Sequence, residues 1–587
     1  MKRRTTVVTV VALALVAAAC AGPTYIAARD ETARGTSTVV GDAGDAAPAA
    51  PAPTTSAPAE ARAAAAPRPN VLVIETDDMR SDDLRFMPRT QRLIGDRGLS
   101  FENSFAPYPL CCPSRSSFLT GRYAHNHGVL THEEPFGFAS FDDRTTLATV
   151  LQRAGYRTAL LGKYLNGYGQ QRLRRPAASA GEPSLHYVPP GWTHWAAGSD
   201  HFWGPDDDLF GSTYDYFNLV QNVDGRVVGS PGRYSTDVLA EQTRALTDRW
   251  RTGKPWFVWW NPVAPHHGGP REPDDPAPTL RDDDFLVNWL TPARPDWVKG
   301  RFDRQVRHGA GVPATGSPEA DVRDKPRFLR LPELNRAERA ALTEVTRQRA
   351  ESLYALDVQV GRTLQRLGRT GQLARTVVVF TSDNGVYLGE HRKRQGKINA
   401  HEPSLRVPLL IAGPGVPRGR RYDPATTLDL GPTIASWAGT RLPAPDGVDL
   451  RPTITRGDRG WTRPVVTEGL MPEAAYVRGR WAGESAEVRG SALNTRGLRL
   501  GRWKLTRYAT GEVELYDLAA DPRELRNLAR DPARAGLLAR LTALQRRYQS
   551  CAGAACRAPV PAAFAVGPAR NRQVTDRQRA VTEAALR

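Results

Sequence analysis

Short uninterrupted runs of apolar residues recur along the chain, and each stops at polar residues. Asn70–Thr76 ends at Asp77 and Asp78, residues 157–161 end at Gly162 and Lys163, residues 256–260 run on towards His266, and Thr376–Ser382 ends at Asp383 and Asn384. Runs without the alternation of a half-exposed sheet predict parallel strands covered by helices on both faces. Helical periodicity fills the intervals at 84–95, 146–155, 235–251 and 336–367, so the order of elements predicts an α/β domain. Ligands of such sheets sit beyond the carboxyl ends of the strands. The polar residues that end these runs are therefore candidates for one shared site.

A strand at 406–412 and a helix at 429–439 continue the domain, and residues 442–447 form a turn-rich break. Shorter alternating runs at 464–467, 501–508 and 512–516 predict a small antiparallel sheet, followed by an amphipathic helix at 533–548. From about Arg557 the chain is rich in Ala, Pro and Arg and reads as a loosely packed tail. The division expected is a catalytic domain at 69–455, a C-terminal α+β subdomain at 456–560 and a tail at 561–587.

The first 20 residues read as an export signal: Lys2, Arg3 and Arg4 precede an apolar stretch too short for a stable membrane anchor. It ends in Ala17-Ala18-Ala19-Cys20, which resembles a bacterial lipobox, so Cys20 is the expected site of lipidation; cleavage without lipid is the alternative. Residues 21–68 are dominated by Ala, Pro, Thr and Ser and read as a tether. The expected location is thus outside the bacterial cell, on its surface or secreted.

Composition changes this picture little. Lys plus Arg number 80 against 62 Asp plus Glu, a net charge of +18. The Arg residues are scattered, and no nucleic-acid-binding signature accompanies them, so nucleic acid is not an expected partner. Of the five cysteines, Cys551 and Cys556 have the spacing of a local disulfide in an exported protein.

Cys111 and Cys112 need another explanation. They open the segment LCCPSRSSFLTG at residues 110–121, where Pro113 suits a first helical turn and places Cys111 at a helix N-terminus. Taken alone, the pair reads as buried thiols or metal ligands. The whole segment resembles the signature of the type I sulfatases, in which the first cysteine is oxidised to formylglycine by a dedicated generating enzyme. The resemblance covers most of residues 70–530. It implies an alkaline phosphatase-like fold, a large mixed and mostly parallel sheet sandwiched by helices, with a smaller C-terminal antiparallel sheet plus helix.

The same resemblance implies roles for separate residues. Asp77, Asp78, Asp383 and Asn384 match the family's metal ligands, with residue 111 beside them. Lys163 matches its sulfate-binding lysine, His266 the histidine near the leaving group, and Lys397, followed by Glu402 and Arg406, its second lysine. Arg115 would orient the aldehyde. Residues 514–518, 521–522 and 527–528 match the family's usual C-terminal ending. His125, His127 and Asn166, as candidate substrate contacts, bring the match closest to the branch of N-acetylglucosamine-6-sulfatase and the heparan 6-O-endosulfatases. Leu165 departs from the pattern, because many arylsulfatases have His there.

Residue chemistry supports the metal independently. Carboxylates and an amide carbonyl are hard oxygen ligands, which suit Ca²⁺, with Mg²⁺ the alternative. The implied reaction is in-line attack of the hydrated aldehyde on sulfur, protonation of the leaving oxygen by His266 or Lys397, and collapse of the second hydroxyl to expel sulfate. The substrate is a glycan or aryl sulfate ester. Two other readings stand beside it: hydrolysis of phosphonate monoesters or phosphodiesters, and silent binding of a sulfated glycan. Trp192, Trp195 and Trp203 are candidates for stacking on sugar rings or for packing in the core or loops.

Overall fold

The computed structural model describes residues 68–174, 181–204, 207, 209–470 and 494–585. The export signal, Cys20 and nearly all of the tether lie outside the described residues. No helix among the described residues is long and apolar enough to cross a membrane.

Ten strands form the main sheet: β1 Asn70–Thr76, β2 Leu99–Phe101, β3 Arg157–Gly162, β4 His194–Gly198, β5 Asn218–Val223, β6 Arg226–Pro231, β7 Trp256–Asn261, β8 Thr376–Ser382, β9 Leu409–Ala412 and β10 Gly419–Arg421. Their order is β10-β2-β9-β8-β1-β7-β3-β4-β5-β6. The central strands, β8 through β4, are parallel, whereas β9 and β5 pair antiparallel at the two sides. This is the mixed, mostly parallel sheet expected.

The apolar runs are continuous because both faces are covered. Leu72 and Ile74 of β1 pack with Val238, Leu239 and Leu246 of helix Ser235–Arg249 and with Leu353, Leu356 and Val360 of helix Arg336–Arg369. Val71 and Val73 point to the other face, against Phe118 and Leu119 of helix α1 (Cys111–Thr120) and Ile434 of helix Thr427–Trp437. The long helix at 336–369 starts on a capping box in which Asn335 and Glu338 exchange side-chain to backbone hydrogen bonds.

A four-stranded antiparallel sheet follows, β11 Val465–Leu470, β12 Asn494–Leu500, β13 Trp503–Tyr508 and β14 Val513–Asp517, with helix Ala535–Tyr548 packed on it. Strand β12 escapes the sequence pattern because Gly497 interrupts its apolar positions. A Cβ there would lie 2.4 Å from the Leu505 carbonyl oxygen of the neighbouring strand. This sheet shares one core with the larger domain, since Phe105, Tyr123, Leu405 and Leu428 pack among Val465, Leu498, Leu505 and Leu515.

One expectation needs correction, and one open choice is decided. The tail is not loose, because Pro568–Ala585 is a helix docked through Asn571 Nδ2 on the Tyr422 carbonyl (2.6 Å) and Thr575 Oγ1 on Asn103 Nδ2 (2.8 Å). Its contact face is largely polar, which hydrophobic periodicity cannot reveal. Trp195 is fully buried with Nε1 donating to the Tyr168 hydroxyl, and Trp192 packs on Phe257 and Trp259. Trp195 therefore belongs to the core, and Trp192 packs half-buried against it.

Candidate active site

Register brings the strand ends together. β1 and β8 pair from Asn70↔Thr376 to Thr76↔Ser382, so Asp77 and Asp383 emerge side by side. β3 pairs with β7 up to Gly162↔Asn261, and the Lys163 N–H donates to the Asn261 carbonyl at 2.9 Å. Helix α1 begins beside these ends, with the preceding residue, Leu110, extended and Cys111 in the first turn. Cys111 Sγ lies 3.3 Å from Asp77 Oδ1 and 2.9 Å from Lys397 Nζ. Ligand atoms of Asp77, Asp78, Cys111 and His266 all lie within 4.8 Å of one another, and all four residues are buried.

Cations compensate the buried carboxylates. Lys163 Nζ donates to Asp77 Oδ2 (2.5 Å), Lys397 Nζ to Asp78 Oδ1 and Oδ2 (2.8 and 3.0 Å), and Arg115 Nε to Asp383 Oδ2 (2.8 Å). Arg115 also donates from Nη1 to the Lys163 carbonyl at 3.3 Å. Burial would raise the Asp77 carboxyl, but Lys163, His266, Arg115 and Lys397 together hold it well below the usual carboxylate range. Asp383 moves the other way: burial and the Asp77 charge push it up to about 6 against Arg115. Burial, with Asp77 nearby, raises the Cys111 thiol well above its ordinary value.

The oxygen donors fit a hard cation. Asn384 Nδ2 donates to Asp78 Oδ1 (2.5 Å) and to the Gly385 carbonyl (3.0 Å), which leaves Asn384 Oδ1 buried without a hydrogen-bond partner. An orphaned buried carbonyl oxygen calls for an explanation, and a cation beside three carboxylates supplies one. His266 Nδ1 donates to the His267 carbonyl at 2.7 Å, and its Nε2 faces Asp78 Oδ2 at 3.6 Å.

Three contributors carry no sequence signal. Arg349, in the middle of the long helix, donates to the Asp78 carbonyl at 2.6 Å and to the Pro265 carbonyl at 3.1 Å, fixing the backbone of a carboxylate ligand and of the histidine loop. Asp78 needs such a clamp, because its φ is +61°. Glu75 lies beneath the site, with Oε2 accepting from Trp259 Nε1 at 2.6 Å, and burial pushes it up to about 7. Tyr214 packs against both Lys163 and His266.

Other candidates sit elsewhere. His125 bonds Glu468 through Nδ1 and the Cys551 carbonyl through Nε2 (2.7 Å), and His127 Nε2 meets Ser117 Oγ at 3.0 Å. Both histidines tie structure together and are not joined to the Cys111 cluster by these bonds. Asn166 is nearer, donating from Nδ2 to the Tyr214 hydroxyl at 2.6 Å. Leu165 belongs to the apolar core. Cys112 is a buried free thiol that donates to the Asn166 carbonyl, and Cys551 and Cys556 are joined in a disulfide.

Comparison with known proteins decides the family. The sulfatase family model matches residues 69–440, well over half of the chain. The chain belongs to the sulfatase family. As a sulfatase it is a sulfuric ester hydrolase. It is 31% identical over 527 residues to an arylsulfatase of Volvox carteri, covering 85% of this chain and 77% of that protein. It is 29% identical over 533 residues to N-acetylglucosamine-6-sulfatase of Homo sapiens, covering 85% and 87%. The sulfatase also shares its fold with solved structures. One, in complex with its substrate D-glucosamine-2-N,6-O-disulfate, has TM-score 0.58, 22% identity and coverage of 82% and 97%. Another is a phosphonate monoester hydrolase from Silicibacter pomeroyi, with TM-score 0.56, 24% identity and coverage of 86% and 99%.

Proposed function

We propose that this sulfatase acts outside the cell on carbohydrate sulfate esters, N-acetylglucosamine 6-sulfate being the first candidate and aryl sulfates the second. Residue 111 is formylglycine in the mature enzyme, made from Cys111 by a formylglycine-generating enzyme. The observation that carries the reading is the setting of Cys111: the first turn of a helix, 2.9 Å from Lys397 Nζ and 3.3 Å from Asp77 Oδ1.

Asp77, Asp78, Asp383 and Asn384 would hold Ca²⁺, with Mg²⁺ the alternative, and the ion would supply positive charge that favours an ionised hydroxyl at residue 111. The hydrated aldehyde at residue 111 would supply the nucleophilic hydroxyl, and a second hydroxyl from which the product can be released. Lys163 and Arg115 hold positive charge on the side where the sulfuryl oxygens gather. Lys397, bonded to both Asp78 and residue 111, orients the nucleophile. His266 keeps one proton on Nδ1 for the His267 carbonyl and delivers another from Nε2 to the ester oxygen as the S–O bond breaks. Export, and anchoring through Cys20, rest on the character of residues 1–20.

The test is sulfate release from N-acetylglucosamine 6-sulfate saccharides and 4-nitrophenyl sulfate, beside an aryl phosphonate ester. The enzyme is co-produced with a formylglycine-generating enzyme and assayed with Ca²⁺, with Cys111→Ala as control. Release that the substitution abolishes is expected, with the saccharide preferred. Preference for the phosphonate would replace the reading with phosphonate hydrolysis, a reaction named for a structure of the same fold. Matured enzyme as inert as Cys111→Ala would leave only binding of the sulfated glycan.

A further inference from the structure

The segment at 212–217 backs the site without belonging to any strand that ends there. It is pinned to the histidine loop at several points. The Tyr216 hydroxyl donates to the His266 carbonyl at 2.7 Å, and the Tyr216 N–H donates to the Gly269 carbonyl at 2.7 Å. The contact is close enough that a Cβ on Gly268 would lie 2.3 Å from the Tyr214 carbonyl oxygen. Ser212 Oγ accepts from the Tyr214 N–H at 3.2 Å. This scaffold fixes the Tyr214 ring against reacting groups on two different strand ends. Lys163 Nζ sits 5.1 Å from its centroid, and the His266 ring lies 5.0 Å away at 36°.

A cation over an aromatic face is attracted by the ring quadrupole. The same ring gives the imidazole a flat surface that limits its rotation. The Tyr214 hydroxyl accepts from Asn166 Nδ2, and Asn166 Oδ1 is buried without a hydrogen-bond partner, so the pair forms a polar edge to this wall. We propose that Tyr214 is a positioning residue, whose ring aims the Lys163 ammonium at the sulfuryl group and His266 at the ester oxygen, with Asn166 held alongside. This rests on the sulfate ester hydrolysis proposed above.

A ring that aims His266 has a consequence that simple support of the fold lacks. Protonation of the leaving oxygen matters most for esters of weakly acidic alcohols or phenols, and least for 4-nitrophenyl sulfate. The experiment compares kcat on 4-nitrophenyl sulfate and phenyl sulfate for the full-length, formylglycine-bearing wild type, Tyr214→Leu and Tyr214→Phe. Thermal midpoint and formylglycine content are measured on each. Tyr214→Leu is expected to lower kcat at least tenfold more on phenyl sulfate than on 4-nitrophenyl sulfate, and Tyr214→Phe to recover most of that difference. If Tyr214→Leu does not accumulate, Tyr214→Gln takes its place. Equal losses on the two esters, or a Phe variant as impaired as Leu, would overturn the inference alone. Matured wild-type enzyme inert on both esters and on N-acetylglucosamine 6-sulfate saccharides would overturn the proposed function and the inference with it.

Discussion

Glu402 offers a test of how the small C-terminal sheet is joined to the loop that carries Lys397. Its carboxylate accepts from Arg406 Nη2 (2.8 Å) and Nε (3.1 Å), from Arg499 Nε (3.1 Å) on β12 and from Lys504 Nζ (3.4 Å) on β13. The Arg499 and Lys504 side chains are 1% exposed and that of Glu402 14%. Burial would raise the Glu402 carboxyl, but Arg499, Arg406 and Lys504 hold it well below the usual carboxylate range. Glu402→Gln keeps the volume and removes the charge. Removing one partner of a buried ion pair costs about 3–5 kcal/mol, and the lower end applies because Glu524 stays paired with Lys504. An unfolding entropy of ~2.1 cal/mol/K per residue over roughly 500 ordered residues is about 1 kcal/mol per degree, so the midpoint should fall by about 3 °C. The pH dependence has a fixed sign. A carboxyl with a depressed folded pKa contributes fully above its unfolded pKa, about 4.3, and loses that contribution as pH falls through the folded value. Differential scanning calorimetry should therefore show the wild-type and Glu402→Gln midpoints separated at pH 7 and converging in acid. A separation under about 1 °C at pH 7, or one undiminished at pH 3, would refute the reasoning.

Other expectations can be checked in the same way. A cation bound only by the folded state stabilises it by about 2.7 kcal/mol at a hundredfold excess over Kd, so Ca²⁺ should raise the thermal midpoint by about 3 °C, and Asp78→Asn should abolish the rise. Arg349→Ala should lower kcat/KM by about tenfold or more in initial-rate assays, because it frees the backbone of Asp78 and Pro265, and Arg349→Lys should not restore it, since one ammonium does not reproduce the guanidinium fork. Replacing Cys551 and Cys556 by Ser should cost about 2 kcal/mol from the short loop they close, read as a fall of about 2 °C in the same calorimetry.

The sheet was legible because burial on both faces leaves a continuous apolar run, and the site because its acids, Lys163 and His266 follow those runs directly. Arg349, Glu75 and Tyr214 were not, and for a common reason: each reaches the site from an element whose local pattern is explained by something else. Arg349 lies in an amphipathic helix where charge at intervals is ordinary, Glu75 interrupts a strand that still reads as apolar, and Tyr214 sits in a connection without periodicity. The two histidines that follow the signature segment part ways: His127 turns back to Ser117 on its helix, whereas His125 reaches away to the C-terminal region. Helix α1 runs ten residues from Cys111 to Thr120, and at 1.5 Å per residue it carries the chain about 15 Å away from the nucleophile. Gly121 then ends the helix with φ +67°, and the next turn delivers His125 to Glu468 and Cys551 of the C-terminal region. A residue one helix length beyond a nucleophile is more apt to secure the far end of that helix than to meet the substrate, so the contribution of His125 should be to stability rather than to turnover.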